Sequence, residues 1–124
     1  MATAEDNAKI VHRYIELVAK GSADELTALY AADATVEDPV GSEVRRGHGA
    51  IREFYTVIEN LQREAELVSV KVAANEAAFL WQLTLTAGDT RSRIEPIDVM
   101  TFDDEGRITS MRAFWSPSDL TVLE

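Results

Sequence analysis

The sequence predicts an α+β fold in which helices come first and an antiparallel, strongly curved sheet follows. Two patterns carry this prediction. Apolar residues recur with a helical period of about 3.6 residues up to Leu61, and they alternate with a strand period from Arg63 onward. Short polar turns separate the alternating segments, which is typical of antiparallel neighbours. Three helices packed on one face of such a sheet would form a cone with an apolar interior.

Three helices are predicted in the first half of the chain. The first spans Ala4 to Lys20 and ends at Gly21, and a capping box over Ser22 to Glu25 begins a short second helix. The third runs from about Ala50 to Leu61. Buried phenols need partners, so one tyrosine on each apolar face could hydrogen-bond to the others. These tyrosines are Tyr14, Tyr30 and Tyr55.

Five strands are predicted. The first covers Ala34 to Glu37, between the second and third helices. The second has Val68, Val70 and Val72 on one face. The other three cover residues 79–86, roughly 90–102 and 107–116, and the tail from Pro117 has no clear pattern.

Length and charge limit the possible functions. At 124 residues the chain is expected to form one domain, 1–124, and no apolar run is long enough to span a membrane. The polar N-terminus is unlike a secretory signal, and there is no cysteine for disulfides or thiolate chemistry, so a cytoplasmic location is expected. The net charge of −10 opposes binding to nucleic acid or membranes and favours a neutral or cationic small molecule.

Asp38 lies in the segment Val36-Glu37-Asp38-Pro39-Val40-Gly41, at the predicted end of the first strand. Pro39 has no N–H and stops the ladder, and a residue before proline is held extended. Such a position could hold a carboxylate at the rim of a pocket, and the tight turn could make the Asp38–Pro39 peptide bond cis. On this segment alone, an ordinary exposed aspartate at a strand end explains the pattern better.

Asp98 has apolar neighbours on both faces of its predicted strand, with Ile97 and Val99 beside it and Met100 and Phe102 on its own face. Little water reaches such a carboxyl, so its pKa should rise and it should stay protonated, as a hydrogen-bond donor, at neutral pH. Two alternatives stay open from the strand alone. One is an outward position in a dimer interface, and the other is a salt bridge to Arg91, Arg93 or Arg112.

Asp38, Tyr14 and Asp98 are all expected to face the inside of the cone. A carboxylate base beside two neutral donors suits proton removal next to a carbonyl group, because the donors can hold the enolate oxygen. His12 and His48 are isolated, so no metal site is expected. An apolar wall should favour a flat, hydrophobic carbonyl compound; its members are Phe54, Phe79, Trp81, Leu83, Met111, Ala113 and Trp115.

Five segments resemble the bacterial Δ5-3-ketosteroid isomerases, which belong to the cone-shaped nuclear-transport-factor-2-like superfamily. The segments are Arg13–Val18, Tyr30–Ser42, Ile51–Tyr55, Pro96–Met100 and Met111–Trp115, and the likeness spans nearly the whole chain. Within the superfamily, the run from Asp33 to Ser42 is specific to these isomerases. A protonated aspartate with a raised pKa beside a tyrosine is a known feature of this enzyme family.

The resemblance implies a role for each matching residue. Asp38 would be the general base that moves a proton from C4 to C6 of a 3-oxo-Δ5-steroid, while Tyr14 and protonated Asp98 would bind the C3 oxygen. Tyr30 and Tyr55 would support Tyr14. The family uses no metal or cofactor and forms homodimers through the outer sheet face, where Ile108 and Phe114 are expected. The steroid rings would contact Phe54, Trp81, Met111, Ala113 and Trp115.

Two other classes stay open, because this superfamily also contains cyclases, hydrolases, dehydratases and non-catalytic binders. A polyketide-cyclase-like enzyme would use an acidic residue but would not require the pair of donors. A binding module for apolar ligands would keep its affinity without Asp38 and would have no turnover. The least family-like regions, 44–49, 61–72 and 80–93, bear on pocket depth and substrate range.

Overall fold

Three α-helices pack on an open, mixed sheet in this computed structural model, which describes residues 2–123. The helices are α1 (Ala4–Lys20), α2 (Ala23–Thr27) and α3 (Gly47–Glu59). A capping box begins α2 at Ser22, as the sequence predicts, and another begins α1 at Thr3. The α+β prediction is therefore confirmed, although α3 begins at Gly47 rather than near Ala50.

Eight strands form the sheet, which is more than the five expected. β1 and β7 pair in parallel, and the other pairs formed by residues 2–123 are antiparallel. The tail from Pro117, which carries no clear sequence pattern, adds a 3₁₀ turn over Pro117–Asp119 and then β8. The strands are β1 (Tyr30–Glu37), β2 (Arg45–Arg46), β3 (Gln62–Ala73), β4 (Glu76–Ala87), β5 (Thr90–Ile94), β6 (Ile97–Phe102), β7 (Ile108–Phe114) and β8 (Leu120–Leu123).

The strand expected over residues 90–102 is broken into β5 and β6 at Glu95 and Pro96. Proline cannot donate to a ladder, and the Pro96 carbonyl instead accepts a hydrogen bond from the Trp81 N–H at 3.3 Å. β6 pairs with β7 and β5 pairs with β8, so the chain between β7 and β8 lies beside this break. There the Glu95 N–H donates to the Asp119 carbonyl at 3.3 Å. β4 continues past the break and pairs with β5 and β6 in turn.

Three expected positions are wrong. Val68 is 52% exposed and does not share the partly buried face of Val70 and Val72, because a bulge between Leu67 and Ser69 shifts the alternation of β3. Ile108 is fully buried rather than on the outer face, because the register also shifts at the start of β7. Tyr30 begins β1 instead of ending the second helix, although its side chain is buried as expected.

One apolar core lies between the helices and the sheet, with α1 packed on β3 and β4 and α3 packed on β1 and β2. Phe79, Met100 and Phe102 are among its fully buried side chains, beside the three tyrosines. Burial of large side chains of this kind stabilises the fold by about 1.5–3 kcal/mol for each one. A bilayer-spanning helix, which must be both long and apolar, is absent from residues 2–123.

Gly21 generates a prediction about stability, because a Cβ there would lie 2.7 Å from Leu17 Cδ2 and 2.9 Å from the Leu17 carbonyl oxygen. We expect Gly21→Ala to lower the free energy of unfolding by about 1–3 kcal/mol, through overpacking at the end of α1. Gly49→Ala is the matched control, because nothing lies within 4 Å of its Cβ and the residue is in α3. This control should raise stability by up to about 1 kcal/mol. Urea unfolding measures both, and equal effects of the two substitutions would contradict the assigned packing.

Candidate active site

An apolar pocket of about 280 Å³ opens between the helices and the broken part of the sheet. The two tryptophans and two of the tyrosines contribute to its wall, and Asp38 and Arg45 are its two charged members. A largely apolar cavity with a few convergent polar groups is typical of a small-molecule site. The lining residues are Tyr14, Val18, Asp38, Arg45, Phe54, Tyr55, Val57, Ile58, Trp81, Leu83, Leu85, Ile94, Pro96 and Trp115.

Asp38 follows β1 directly and is half-buried at the pocket. The Trp115 indole N–H donates to Asp38 Oδ1 at 2.7 Å. The turn after Asp38 is tied to β7, because the Val40 N–H donates to the Ala113 carbonyl at 2.8 Å. The Asp38–Pro39 peptide bond is cis, as the tight turn suggested. The carboxyl is therefore held at the end of a strand with one lone pair already occupied.

Opposing effects set the pKa of Asp38. Burial raises the pKa above the ordinary value of an aspartate, while the Trp115 hydrogen bond and the positive charge of Arg45 act against that rise. The Arg45 guanidinium is 4.8 Å from the centroid of the Phe54 ring, an arrangement that a cation–π attraction stabilises. Arg45 thus faces the pocket as a cation close to the carboxyl that a base would use.

The three tyrosines form the hydrogen-bonded chain that the sequence suggested. The Tyr30 and Tyr55 hydroxyl oxygens are 2.6 Å apart, and the Tyr55 O–H donates to the Tyr14 oxygen at 3.1 Å. Each phenol has one proton, so Tyr30 must donate to Tyr55, and the chain runs from Tyr30 to Tyr14. Burial raises the pKa of all three phenols well above its usual value, so they stay neutral. The Tyr14 O–H is therefore left free to donate, and Tyr14 lines the pocket.

Asp98 is fully buried in β6, on the same face as Met100 and Phe102. Neither of its carboxyl oxygens has a hydrogen-bond partner among residues 2–123. Burial raises its pKa well above the ordinary value; the Trp81 indole opposes this rise without meeting hydrogen-bond geometry, and the charge of Asp38 adds to it. Burial therefore favours the protonated, neutral form of Asp98.

The alternative positions for Asp98 are excluded by its surroundings. Full burial rules out an outward position in an interface. The arginines considered as ion-pair partners lie elsewhere: Arg91 is with Glu64 and Arg112 is with Glu37. Arg93 donates to the Thr84 hydroxyl. A buried acid with no ionic partner is the arrangement that favours the protonated form.

Six of the ten expected site residues line the pocket, namely Tyr14, Asp38, Phe54, Tyr55, Trp81 and Trp115. Asp98, Tyr30, Met111 and Ala113 lie behind that wall, with exposed fractions of 0%, 1%, 0% and 1%. Contact of Met111 and Ala113 with a ligand thus stays a prediction. The sequence did not identify Arg45 as a pocket residue. On a two-residue strand, alternation cannot show whether Arg45 or Arg46 faces inward.

No set of three or more His, Asp or Glu side chains in residues 2–123 is arranged to hold a metal ion. His48 has another role, because its Nε2 lies 2.8 Å from the Tyr30 carbonyl oxygen and ties α3 to β1. The site instead combines one rim carboxyl with neutral O–H donors in an apolar setting. Groups whose pKa values are pushed apart in this way can remove a proton and hold the resulting oxyanion.

Comparison with known proteins identifies the class to which this fold and site belong. The SnoaL-like domain family matches residues 11–111. The chain therefore belongs to the SnoaL-like family, which has the nuclear-transport-factor-2-like fold. Within that class, it is 52% identical over 112 residues to the steroid Δ-isomerase of Nocardioides simplex, with 90% of this chain and 91% of the relative covered. The resemblance to ketosteroid isomerases drawn from the sequence is confirmed.

More distant relatives include proteins of other activities. The epoxide hydrolase LasB of Streptomyces lasalocidi is 29% identical, over 84% of this chain and 45% of its own length. The structure of SalBIII, an epoxide hydrolase/cyclase-like enzyme of pyran ring formation in salinomycin, aligns with a TM-score of 0.91 at 31% identity, covering 99% of this chain and all of that one. A Mycobacterium tuberculosis crystal structure shares the fold, with a TM-score of 0.89 at 20% identity over 99% of this chain and 100% of that one.

The buried acid predicts a pH dependence of stability. The native state keeps the Asp98 proton above pH ~4, where the unfolded chain releases it, so the free energy of unfolding should fall as pH rises toward the folded pKa. The contribution from this one group is up to about 1.4 kcal/mol for each pH unit in that window. Asp98→Asn cannot ionise, and it should gain stability relative to the parent protein as pH increases.

Urea unfolding between pH 4 and 8 measures this effect. Asp89→Asn, in the exposed turn between β4 and β5, makes the same substitution at the surface and should run parallel to the parent curve. Asp38 contributes a slope of the same sign in all three proteins, so it cancels in the comparison. Parallel curves for Asp98→Asn and the parent protein would contradict the protonated assignment.

Proposed function

We propose that this protein is a steroid Δ-isomerase that converts 3-oxo-Δ5-steroids to 3-oxo-Δ4-steroids through a dienolate intermediate, without a metal or cofactor. The observation that carries the proposal is one apolar pocket with a rim carboxyl, a free phenol O–H and a buried neutral acid close by. The identity of 52% to a steroid Δ-isomerase over nearly the full length of both chains supports the same reaction.

Asp38 is the general base of the proposed reaction. Ionised Asp38 takes a proton from C4, the C4–H electrons form the C3–C4 double bond, and the carbonyl π electrons move to the C3 oxygen. The Asp38 carboxylic acid then returns the proton to C6. The electrons of the C5–C6 double bond take that proton, the C3 carbonyl re-forms, and the remaining double bond lies between C4 and C5. One proton is moved and none is lost, so no co-reactant is required.

Tyr14 and Asp98 stabilise the oxyanion in this proposal. The phenol chain leaves the Tyr14 O–H free, and the buried Asp98 carboxyl keeps a proton to donate. Donors held in an apolar site interact with a developing charge more strongly than water does, because they need no reorganisation. Tyr30 and Tyr55 are positioning residues, since they act through Tyr14.

The difference between the two carboxyls supports their different roles. Asp38 is half-buried, accepts the Trp115 N–H and lies near a cation, so ionisation is retained at the rim. Asp98 is fully buried with no ionic partner. A base and an acid can therefore work side by side at one pH.

A flat neutral steroid suits the pocket. Side chains of α3 and β4 make the pocket wall mainly apolar, and they include Phe54, Trp81 and Leu83. We infer that the steroid rings contact Phe54, Trp81 and Trp115. Contact with Met111 and Ala113 requires that the wall in front of these buried side chains opens on binding. A cytoplasmic site of action is part of the proposal and rests on the absence of cysteine.

Epoxide chemistry is the second candidate, because SalBIII and LasB are epoxide hydrolases or similar to them and share this fold or domain. The rim carboxyl and the buried acid behind the pocket wall could also activate water and protonate an epoxide. Mass distinguishes the two reactions, since isomerisation leaves the mass unchanged and hydrolysis adds one water. A purely binding module would change neither the mass nor the absorbance of a steroid.

The activity prediction is tested with 5-androstene-3,17-dione, whose conversion to the conjugated enone is followed by ultraviolet absorbance and mass spectrometry. The parent protein should isomerise it, and Asp38→Asn should lower turnover by about 10²–10⁴-fold with little change in steroid affinity, since only the base is lost. Tyr14→Phe should lower turnover by about 10²–10³-fold.

Asp33→Asn is the control for this series, because Asp33 is an exposed aspartate on the same strand, β1. It should keep the parent rate. Full turnover in Asp38→Asn would reject the assignment of the base. A gain of one water with a steroid epoxide, without enone formation from the dione, would favour the second candidate.

We also propose that the protein is a homodimer that uses the outer face of the sheet. Ile97 of β6 and Phe114 of β7 are direct cross-strand partners on that face, and they are 47% and 42% exposed. An exposed apolar patch of this kind marks an interaction surface, and the ketosteroid isomerase relatives imply a second copy as the partner. The Arg112 guanidinium, 5.2 Å from the Phe114 ring centroid, would lie within it.

The dimer prediction is that Phe114→Asp shifts the protein toward monomer, because it places a charge in an apolar interface. Light scattering after size-exclusion chromatography measures the mass. Val44→Asp is the control, since Val44 is a similarly exposed apolar residue, at 49%, in the loop before β2. A monomeric parent protein would reject the dimer and leave the isomerase proposal untouched.

A further inference from the structure

The Trp81 indole N–H is a buried donor without an acceptor. Trp81 lies in β4, is 4% exposed and lines the pocket, and its Nε1 finds no partner in residues 2–123. Buried polar groups are nearly always satisfied in native structures, so a lone indole N–H beside a pocket needs an explanation. From the sequence, Trp81 is expected only in the apolar wall of the pocket.

Asp98 is the matching unsatisfied group. Both of its carboxyl oxygens lack partners, although the residue is fully buried. A protonated carboxyl has one O–H to donate and one carbonyl oxygen that accepts. If the O–H serves a substrate oxygen, the carbonyl oxygen still requires a donor from the protein.

The sheet register brings the two groups together. Phe79 of β4 is directly opposite Asp98 of β6, and Trp81 is two residues further along β4 on the same face. Diagonal neighbours of this kind are within reach of an aromatic side chain. The break at Pro96 lies beside Trp81, whose backbone N–H donates to the Pro96 carbonyl. This hydrogen bond fixes the middle of β4 against the chain that leads into β6.

Two aromatic neighbours restrain the indole ring of Trp81. Its ring is edge-on to Tyr14, with centroids 6.0 Å apart and an interplanar angle of 77°. The Phe79 ring also lies beside the indole, with centroids 6.5 Å apart, and it contacts Tyr14 as well, with centroids 6.2 Å apart. The ring therefore contacts one proposed oxyanion donor while its N–H is the candidate partner of the other.

We propose that Trp81 is a positioning residue whose indole N–H donates to the carbonyl oxygen of protonated Asp98, so that the Asp98 O–H points at the substrate oxygen. This inference rests on the proposed isomerase function for its kinetic consequence, but the hydrogen bond itself does not depend on it. The two groups already interact, although they do not meet hydrogen-bond geometry.

The electrostatic consequence has a definite direction. The indole dipole favours the ionised form of Asp98, so it lowers the pKa that burial raises and makes the acid a stronger donor. Other titratable groups that interact with Asp98 are Tyr14 on α1, Tyr30 on β1 and Asp38 at the rim. The phenols stay neutral and Asp38 acts in the opposite sense, so Trp81 is the group that acts against the burial effect.

Trp81→Phe tests the proposal, because it keeps an aromatic ring and removes the N–H. We expect kcat for 5-androstene-3,17-dione to fall about tenfold with KM nearly unchanged, which is less than the loss of about 10²–10³-fold for a direct oxyanion donor. In an Asp98→Ala background the same substitution should have no further effect, because the indole then has no acid to orient. Additive losses in this double-mutant cycle would overturn the proposal.

A readout that does not involve activity separates this inference from the proposed function. The chain has two tryptophans, so ¹⁵N-labelled indole spectra of the parent and of Trp81→Phe assign both signals. The Trp81 N–H signal should move as Asp98 titrates, and that movement should disappear in Asp98→Asn. The Trp115 signal, bonded to Asp38, serves as the internal control.

The outcomes are distinguishable. An inactive parent protein in which the Trp81 signal follows Asp98 would reject the isomerase proposal and retain the hydrogen bond. An active enzyme in which the Trp81 signal ignores Asp98 would overturn the positioning role. If Trp81→Phe fails to fold, Trp115→Phe assigns the two indole signals instead, and the comparison of the parent protein with Asp98→Asn still decides the question.

Discussion

The exclusion of water from the interior is the constraint on which the site depends. Two aspartates lie at or near one pocket, at different depths in the apolar core. Burial raises the pKa of Asp38 and raises that of the deeper Asp98 further. Asp98 loses all contact with solvent, whereas Asp38 stays at the rim with an indole N–H and a nearby cation. The same desolvation keeps three phenols neutral and gives their hydrogen-bonded chain one direction. Burial thus gives ordinary side chains the properties that the proposed base and its two donors require.

The sheet supplies this depth because it is interrupted where the pocket opens. A continuous strand through residues 90–102 would close the wall, but the chain is broken at Pro96 into β5 and β6. Their outer neighbours, β8 and β7, are separate strands at the same place. Trp115 follows β7, the strand that pairs with β1, and its indole N–H therefore reaches the Asp38 carboxyl at the end of β1. The strand break at Pro96 and the pocket are therefore found at the same place in the sheet.

Much of this arrangement could be predicted from the sequence, and the failures have physical causes. Strand alternation placed Asp98 inside, and helical spacing placed Tyr14 and Tyr55 there. Alternation failed at Val68 and Ile108, because bulges and register shifts are not encoded in periodicity. Contacts between distant segments, such as Trp115 with Asp38 or Arg45 over Phe54, depend on three-dimensional packing that no local pattern contains.

The shared fold of isomerase and epoxide hydrolase relatives shows that the cone itself does not select a reaction. Selection must come from the polar groups that the apolar wall leaves unsatisfied. Here the unsatisfied set is a free phenol O–H, a neutral carboxyl and an indole N–H, all near one carboxylate. Neutral O–H and N–H donors in an apolar setting suit the stabilisation of an oxyanion. The unpaired polar atoms around the pocket therefore carry more information about its chemistry than its shape does.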